Sequence, residues 1–403
     1  MVRRPRRHST CQFNVALSVS WIIAVSFVLP ASPVFAARHH TASSVPNASA
    51  TPEQYAEACL LEPATGTFIF EKNDHQPWPT ASLAKMMLTL IVAEKLHDGS
   101  LKLTDQITTS RAAAAMGGSQ VYLKEGEVFS LDDMMKAVVV HSANDAAMAV
   151  AEYVGGSSEG FVNVMNAEAQ RLGMKDTHYY NVHGLPPSRG QQASVASAYD
   201  EALLARELVK YPDVLRWSSI DTAPFRGGAF QLRNTNHLVR TFPGCDGLKT
   251  GFYDQAGFNV VATATRGKLR LIAVVLGTQH KLTNFKEAAE LMASGFANYE
   301  MRPVAVKDQP IKQTVAVEKG TRQTITPVWG ADAAVLVKRS DPATVVGIDY
   351  HLPKIITAPI EAGQTIGSAE IVQNGKPVAQ VPLRAPVEVA KQGSPLTRIF
   401  GSL

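Results

Sequence analysis

Cysteine is scarce in this chain, with only Cys11, Cys59 and Cys245 among 403 residues. So few cysteines cannot build a disulfide framework, and their spacing matches no metal-binding cluster. Cys11 precedes an N-terminal apolar run that we expect to be removed, which leaves two cysteines. They can form one disulfide or remain unpaired and buried, and the sequence leaves both possibilities open.

A large excess of either charge is also lacking. The chain carries 39 basic and 35 acidic residues, a net charge of +4. Arg3, Arg4, Arg6 and Arg7 lie within the first 36 residues, which contain no acidic residue. The rest of the chain is therefore close to neutral and has no basic block, which argues against a nucleic-acid-binding protein.

The N-terminal apolar run, residues 15–29, is shorter than the roughly 20 residues that a membrane-spanning helix needs. It follows the arginine cluster and precedes Val34-Phe35-Ala36, a small-residue cleavage pattern. This order predicts a secretory signal peptide over residues 1–36, with an uncleaved membrane anchor as the alternative. We therefore expect an exported protein, in the periplasm or at the extracytoplasmic face of the cytoplasmic membrane, with a flexible leader over residues 37–52.

Hydrophobic periodicity divides the remaining chain into two regions. Residues 53–301 have strands at both ends, at 58–62, 67–71, 259–265 and 269–276. Helices are predicted between and after them, at 82–97, 130–140, 143–154, 159–172, 193–210 and 284–298. Short alternating strands, including 323–328, then predict a small all-β domain over residues 302–390, followed by a tail over 391–403. The expected fold class is α+β, an antiparallel sheet covered by helices plus the small β domain.

The start of the first predicted helix places a lysine near a serine. A serine hydroxyl becomes a strong nucleophile only when a nearby base takes its proton. Ser82 and Lys85 are three positions apart, and such positions lie on one helix face. Lys85 could act as that base if burial or a second cation lowered its pKa. The helix start would also supply backbone N–H groups for a developing oxyanion.

Two further polar triplets follow. Ser142-Ala143-Asn144 lies on the predicted connection between two apolar helices, where polar side chains can point into a cleft. Lys249-Thr250-Gly251 precedes the predicted hairpin at 259–276, and its glycine would let a substrate strand approach the backbone. Each triplet alone is unspecific, but the three motifs in this order indicate one catalytic cleft.

The three motifs resemble those shared by penicillin-binding proteins and class A β-lactamases. The segments ASLAKMM, HSANDAAMAVAEYVGG, HYYNVHGLP and GCDGLKTGFYDQAGF are more similar still to the low-molecular-mass D-alanyl-D-alanine carboxypeptidases. The resemblance covers about residues 53–300, and the β domain is similar to that family's C-terminal domain in position and pattern. It implies a penicillin-binding, transpeptidase-like fold. The implied activity is that of a serine D,D-peptidase, which removes the terminal D-alanine from peptidoglycan pentapeptides.

The resemblance also implies a chemical role for each matching residue. Ser82 would attack the carbonyl between the last two D-alanines and become acylated, while Lys85 takes its proton. Ser142 would pass a proton to the leaving D-alanine, assisted by Lys249. β-Lactam antibiotics would acylate the same serine, and no metal or organic cofactor is required.

Substrate binding is implied for the positions around these residues. Asn144 would hold the peptide backbone of the stem peptide. Lys249 and Thr250, followed by Gly251, would bind its terminal carboxylate. The backbone N–H groups of Ser82 and Phe252 would form the oxyanion hole.

Two features depart from the family's pattern. An arginine usually precedes the phenylalanine of the closing helix and assists the substrate carboxylate. Here Asn284 precedes Phe285, and Lys281 or Lys286 are candidate replacements. At the other departure, the tail residues 394–403 offer too little apolar surface for an amphipathic anchor, because membrane binding scales with buried apolar area. Peripheral membrane contact is therefore left open.

Other protein classes fit the sequence less well. A class A β-lactamase has a Glu-x-x-Leu-Asn segment, but Glu201 here is followed by Ala205 at the asparagine position, so a penicilloyl adduct should be released slowly. Residues 156–160 fit the Gly-x-Ser-x-Gly pattern of α/β-hydrolases, but a helix rather than a strand precedes them. His178 and His183 lack the spacing of a metal site. A D,D-endopeptidase that cuts cross-links and an inactive wall-binding scaffold remain as alternatives.

Overall fold

The computed structural model describes residues 54–341 and 344–393. The predicted signal peptide and leader and the tail residues 394–403 lie outside the described residues. Within the part of the chain that the structure describes, no helix has the length and hydropathy needed to cross a membrane.

The helices of the described residues are α1 Lys85–His97, α2 Arg111–Ala114, α3 Leu131–Val140, α4 Asn144–Gly155, α5 Ser158–Arg171, α6 Ala198–Leu208, α7 Pro212–Ser218, α8 Leu238–Thr241 and α9 Thr283–Asn298. The strands before α9 are β1 Glu57–Glu62, β2 Thr67–Lys72, β3 Trp78–Pro79, β4 Gln106–Thr108, β5 Val128–Ser130, β6 Val195–Ala196, β7 Thr222–Phe225, β8 Phe230–Arg233, β9 Cys245–Tyr253, β10 Gly257–Arg266 and β11 Leu269–Thr278. The strands after α9 are β12 Tyr299–Ala305, β13 Val315–Glu318, β14 Thr324–Ile325, β15 Val328–Trp329, β16 Ala333–Lys338, β17 Val346–His351, β18 Ile355–Thr357, β19 Thr365–Gln373 and β20 Lys376–Arg384.

A five-stranded antiparallel sheet organises the first region, with strand order β2-β1-β11-β10-β9. The first strand of the chain pairs with the last strand of this region, with Glu57 opposite Leu276 and Leu61 opposite Ile272. The sheet therefore ties together the two ends of the region and leaves β9 at one edge.

Helices cover both faces of this sheet. Successive side chains of a strand point to opposite faces, so Cys59 and Leu61 of β1 pack into the core formed with α1 and α3 to α7. Leu60 packs on the other face, with Met292 and Phe296 of α9. The predicted α+β class, an antiparallel sheet covered by helices, is confirmed.

Every regular element that the structure describes after α9 is a strand. These strands form a four-stranded sheet β15-β20-β19-β17, a three-stranded sheet β14-β13-β18 and the pair β12-β16. Asn374 and Gly375 form the turn that joins β19 to β20, with φ values of 51° and 78°, the positive values that a tight hairpin requires. The predicted domain boundary at residue 301 falls inside β12 and stays a prediction.

Three predicted elements were wrong in detail. The helix at 82–97 begins at Lys85, because Ala81–Ala84 form a 3₁₀ turn in which Ala81 has a φ of 46°. The helix at 193–210 is instead β6 followed by α6, because Ser197 caps α6 by accepting a hydrogen bond from the Asp200 N–H at 3.2 Å. The strand at 323–328 is divided between β14 and β15 by Pro327, which has no N–H for a strand ladder.

The two cysteines of the described residues are free thiols, so the first of the two possibilities left open, a disulfide, is absent. Cys59 is buried in β1 and donates to the Ala198 carbonyl at 3.3 Å. Cys245 is only half-buried at the start of β9, which corrects the expectation that both would be buried.

Candidate active site

The first serine–lysine pair lies where the 3₁₀ turn meets α1. Lys85 Nζ lies 2.9 Å from Ser82 Oγ and 2.7 Å from the His183 carbonyl oxygen. The lysine is completely buried, and burial lowers its pKa well below the ordinary value. Lys249 lowers this pKa further, while Asp145 acts in the opposite direction. A buried lysine of lowered pKa beside a hydroxyl is chemically able to accept the hydroxyl proton.

The second serine–lysine pair joins distant parts of the chain. Ser142 lies between α3 and α4 in the left-handed region, at φ 64°. Lys249 is buried in β9, and its Nζ donates to Ser142 Oγ at 2.8 Å and to the Thr250 carbonyl at 2.9 Å. Burial lowers the pKa of Lys249 to about 7. The structure thus brings a second hydroxyl and a second amine to the cleft that contains Ser82.

Asn144 is the first residue of α4 and presents one unused acceptor. Its Nδ2 donates to the Gly117 carbonyl at 2.7 Å, and its backbone N–H donates to the Ser119 carbonyl at 2.7 Å. Its Oδ1 is buried and has no hydrogen-bond partner among the described residues. Because buried polar atoms are nearly always paired, this oxygen is suited to a donor from a bound molecule.

Gly251 lets β9 lie directly against the turn that contains Ser82. A Cβ atom at this position would be 2.7 Å from the Thr80 carbonyl oxygen and 3.1 Å from the Ser82 nitrogen. The glycine therefore accommodates the protein's own backbone at this point, and its predicted contact with a substrate strand stays a prediction.

The residues on either side of Gly251 complete this edge of the cleft. Thr250 Oγ1 donates to Thr235 Oγ1 at 2.7 Å. Phe252 is half exposed and stacks on Phe258 with ring centroids 4.2 Å apart. The strand β9 thus passes close to the Ser82 turn at Gly251, with Thr250 and Phe252 on either side of that contact.

Several residues that hold this cleft together were missed by the sequence analysis. Gly184, at φ 74°, packs so closely on the Ala81 carbonyl that a Cβ atom there would be 1.7 Å from its oxygen. Asn236 Nδ2 donates to the Gly247 carbonyl at 2.8 Å, just before Lys249. Asp246 forms a two-bond ion pair with Arg270 at 2.8 Å. Gly184 lies in a segment that carries the family resemblance and could have been found there, whereas Arg270 gives no local signal.

Asn284, at the position where the family resemblance places an arginine, turns its side-chain amide nitrogen toward the sheet. It is buried, and its Nδ2 donates to the Asn259 carbonyl at 3.3 Å, toward the sheet. Of the two candidate replacements, Lys286 lies 3.8 Å from Glu290 on the same helix. The pKa of His237 is lowered mainly by burial, then by Arg240 and then by Lys281, which places Lys281 near that histidine.

The features behind the other classes do not form rival sites. Glu201 lies within α6 and is fully buried, and burial raises its pKa to about 8, so it is a poor base for activating water at neutral pH. Ser158, the serine of the Gly-x-Ser-x-Gly match, is the first residue of α5, and the element before it is the helix α4 rather than a strand. Within the described ranges, no group of three or more His, Cys, Asp or Glu residues could hold a metal ion.

Two regions of the chain match known family models, and the three motifs lie in the first. Residues 45–280 match the family model described as D-alanyl-D-alanine carboxypeptidase. Residues 299–391 match the model described as the penicillin-binding protein 5 C-terminal domain. The chain is 33% identical over 339 residues to the D-alanyl-D-alanine carboxypeptidase DacF of Bacillus subtilis (strain 168), a match that covers 83% of this chain and 86% of that protein.

Solved structures show the same similarity in three dimensions. A peptidoglycan synthesis regulatory factor (PBP3) from Streptococcus pneumoniae is 26% identical with a TM-score of 0.73, over 84% of this chain and all (100%) of that chain. Penicillin-binding protein D2 of Listeria monocytogenes, in its ampicillin-bound form, is 30% identical with a TM-score of 0.55, over 60% of this chain and 98% of that chain.

Proposed function

This chain belongs to the D-alanyl-D-alanine carboxypeptidase family and is a serine carboxypeptidase of that kind, and we propose that Ser82 is the nucleophile of its reaction. The observation that supports this assignment is the 2.9 Å contact between Ser82 Oγ and the amine of Lys85. Because burial and Lys249 lower the pKa of Lys85, this amine can be neutral and can act as a base.

In the proposed acylation, Ser82 Oγ attacks the carbonyl carbon between the last two D-alanines while its proton moves to Lys85 Nζ. The developing oxyanion would be stabilised by the backbone N–H groups of Ser82 and Phe252, because fixed donors at such a position are a major source of rate enhancement. The close packing of Gly251 against the Ser82 turn supports this pairing, since it brings β9 next to Ser82.

Departure of the terminal D-alanine requires a proton on its nitrogen. Ser142 is proposed to donate it, with Lys249 as the hydrogen-bonded partner that assists the transfer. Lys249 in its charged form would also bind the terminal carboxylate, since a cation is complementary to this anionic end. Thr250 would bind the same carboxylate. Asn144 Oδ1, the unused buried acceptor, would accept a backbone N–H of the stem peptide. Water then releases the shortened peptide from Ser82.

The same site would react with β-lactams, which resemble the substrate in presenting an acyl group to the serine. Similarity to a penicillin-binding protein with bound ampicillin supports this. We also propose export through a signal peptide at residues 1–36, action on peptidoglycan outside the cytoplasm, and a division of the mature chain near residue 301. Weak membrane contact through the tail is part of this proposal and depends on residues outside the described ranges.

The test measures D-alanine released from a pentapeptide that ends in D-Ala-D-Ala, together with mass spectrometry of the protein after exposure to penicillin. The parent should release D-alanine and gain one covalent adduct on Ser82. Ser82→Ala should do neither, because the attacking oxygen is gone. Ser219→Ala, which removes an exposed hydroxyl from the end of α7, is the matched control and should behave like the parent.

The other outcomes identify the alternatives. A folded parent that releases no D-alanine but cleaves a cross-linked peptide dimer would be an endopeptidase. A folded parent that does neither and forms no adduct would be an inactive scaffold. An adduct that persists in Ser82→Ala would show that another residue is the nucleophile.

A further inference from the structure

A loop of residues 115–127 borders the cleft and packs closely on Asn144. Its Gly117 and Ser119 carbonyls accept both hydrogen bonds that Asn144 donates. A Cβ atom at Gly118 would lie 2.8 Å from Asn144 Nδ2 and 3.0 Å from Leu185. The direction in which Asn144 presents its free Oδ1 therefore depends on where this loop lies.

The loop is held from one side by the residue after Asn144. The carboxylate of Asp145 accepts from the Val121 N–H at 3.1 Å and from the Leu123 N–H at 3.0 Å. These bonds use backbone N–H groups of the loop. The carbonyl groups of the loop bond to another residue.

Arg226 holds the same part of the loop through its carbonyl groups. Its Nη1 donates to the Val121 carbonyl at 3.1 Å, and its Nη2 donates to the Tyr122 carbonyl at 3.2 Å and to Glu127 at 2.6 Å. The backbone around Val121 thus has its N–H groups bonded to Asp145 and its carbonyl groups bonded to Arg226. A planar guanidinium with several donors can make such a set of bonds, whereas a lysine ammonium cannot reproduce its fork.

The surroundings of Arg226 fix its guanidinium. It lies 5.5 Å from the ring centroids of both Phe129 and Phe225, which stack on each other. Both ends of the contact are conformationally unusual, because Arg226 has a φ of 53° and Tyr122 a φ of 57°. Non-glycine residues adopt this region only when surrounding contacts impose it, and such residues concentrate at functional sites.

We propose that Arg226 is a positioning residue for substrate binding: it locks the 115–127 loop so that Asn144 presents its Oδ1 to the stem peptide. The inference rests on the proposed role of Asn144 and deepens it. Arg226 does not touch the substrate itself; it acts through the loop carbonyls and the amide of Asn144. Loss of the guanidinium releases the loop, and the Asn144 amide is then free to rotate away from the binding direction.

The test is a double-mutant comparison of Arg226→Met and Asn144→Ala, measured as kcat/KM for the pentapeptide. We expect Arg226→Met to lower kcat/KM by about tenfold, mainly through KM, because misplacement of a binding group weakens productive binding. In the Asn144→Ala background, the same Arg226→Met change should cost less than about twofold, since the amide that it orients is already absent. Arg226→Lys should recover only part of the loss.

Arg216→Met is the matched control. Arg216 also combines an ion pair, to Asp132, with a ring contact, to Trp217, but it lies on α7. The Arg216→Met variant should leave kcat/KM unchanged even if it lowers the melting temperature as much as Arg226→Met does. Hydrogen exchange at the Val121 and Leu123 amides should become faster in Arg226→Met and not in Arg216→Met.

Two results would overturn the inference in distinguishable ways. If Asn144→Ala alone leaves kcat/KM at the parent value, the role of Asn144 fails and the inference fails with it. If Asn144→Ala lowers kcat/KM but Arg226→Met costs the same factor in both backgrounds, Arg226 acts on general stability and only the positioning inference fails.

Discussion

The two sides of the cleft each hold a serine hydroxyl against a lysine amine, but the two pairs arise differently. Ser82 and Lys85 are three positions apart and meet through the local geometry of a turn, at 2.9 Å. Ser142 and Lys249 are 107 positions apart and meet at 2.8 Å only because β9 passes the connection between α3 and α4. The contact within the first pair is made by a single turn, although His183 and Gly184 also pack on that turn, whereas the contact within the second pair exists only in the complete fold.

This difference affects how each pair can be damaged. The second pair relies on remote supports, among them the Asn236 bond to the Gly247 carbonyl and the ion pair of Asp246 with Arg270. Substitutions far from the chemistry should therefore weaken the Ser142–Lys249 side more readily. The two lysines are nevertheless linked, because Lys249 lowers the pKa of Lys85.

The largest loss of activity is expected when the first pair, Ser82 and Lys85, is broken. Lys85→Met removes the amine next to Ser82 Oγ and should lower both kcat/KM for the pentapeptide and the rate of acylation by penicillin by about a thousandfold, within the range known for general acid–base groups. Lys95→Met on the same helix is the control and should leave both rates unchanged. A Lys85→Met enzyme that keeps a tenth of the parent rate would show that another base serves Ser82.

The second pair, Ser142 and Lys249, should control the alkaline side of the pH profile of kcat/KM. The pKa of Lys249 is lowered to about 7 by burial, so as pH rises above about 7 the free enzyme loses the proton that makes this lysine a cation. If carboxylate binding needs that charge, kcat/KM should fall about tenfold per pH unit there, and the fall in kcat should lie at higher pH because a bound carboxylate favours the charged form.

Lys249→Arg tests this explanation, because a guanidinium stays charged throughout the range. The variant should have a lower maximum but no alkaline fall between pH 7 and about 9. An unchanged fall in the arginine variant would assign it to another group, or to the coupled titration of Lys85.

A smaller effect is expected where the two pairs adjoin. Gly251→Ala places a methyl group 2.7 Å from the Thr80 carbonyl oxygen, so β9 must move away from the Ser82 turn. We expect kcat/KM to fall about tenfold, because small displacements of catalytic groups are costly. Gly347→Ala in β17, where the added Cβ meets neighbours at an ordinary 3.9 Å, should leave the rate unchanged. Equal rates in both alanine variants would show that the cleft does not depend on this close approach.

Local patterns predicted the parts of the molecule that local geometry determines. The helix α3, predicted at 130–140, and the closeness of Ser82 and Lys85 both follow from short-range spacing. The helix start at residue 82 was wrong because the first turn is 3₁₀ rather than α-helical, a difference that hydrophobic periodicity does not reveal.

Other features depend on contacts between distant segments and left no pattern in the sequence. Nothing near Arg226 indicates that it bonds to the carbonyls of Val121 and Tyr122. The replacement of an arginine by Asn284 could be noticed through the family resemblance, but only the fold shows that this side chain turns toward the sheet. The strand β9 was also not predicted as a strand, although its Lys249-Thr250-Gly251 motif was recognised.

The pairing of β1 with β11 has a consequence for the order of events during synthesis. Strand β1, residues 57–62, can pair with β11 in the centre of the sheet only after residues 269–278 have been made. Strands β10 and β9 lie on the far side of β11, so they join β1 in one sheet only through β11. An incomplete chain can therefore contain Ser82, Lys85 and Ser142 without the cleft that aligns them. The active site can therefore form only late, when almost the whole first region has been synthesised.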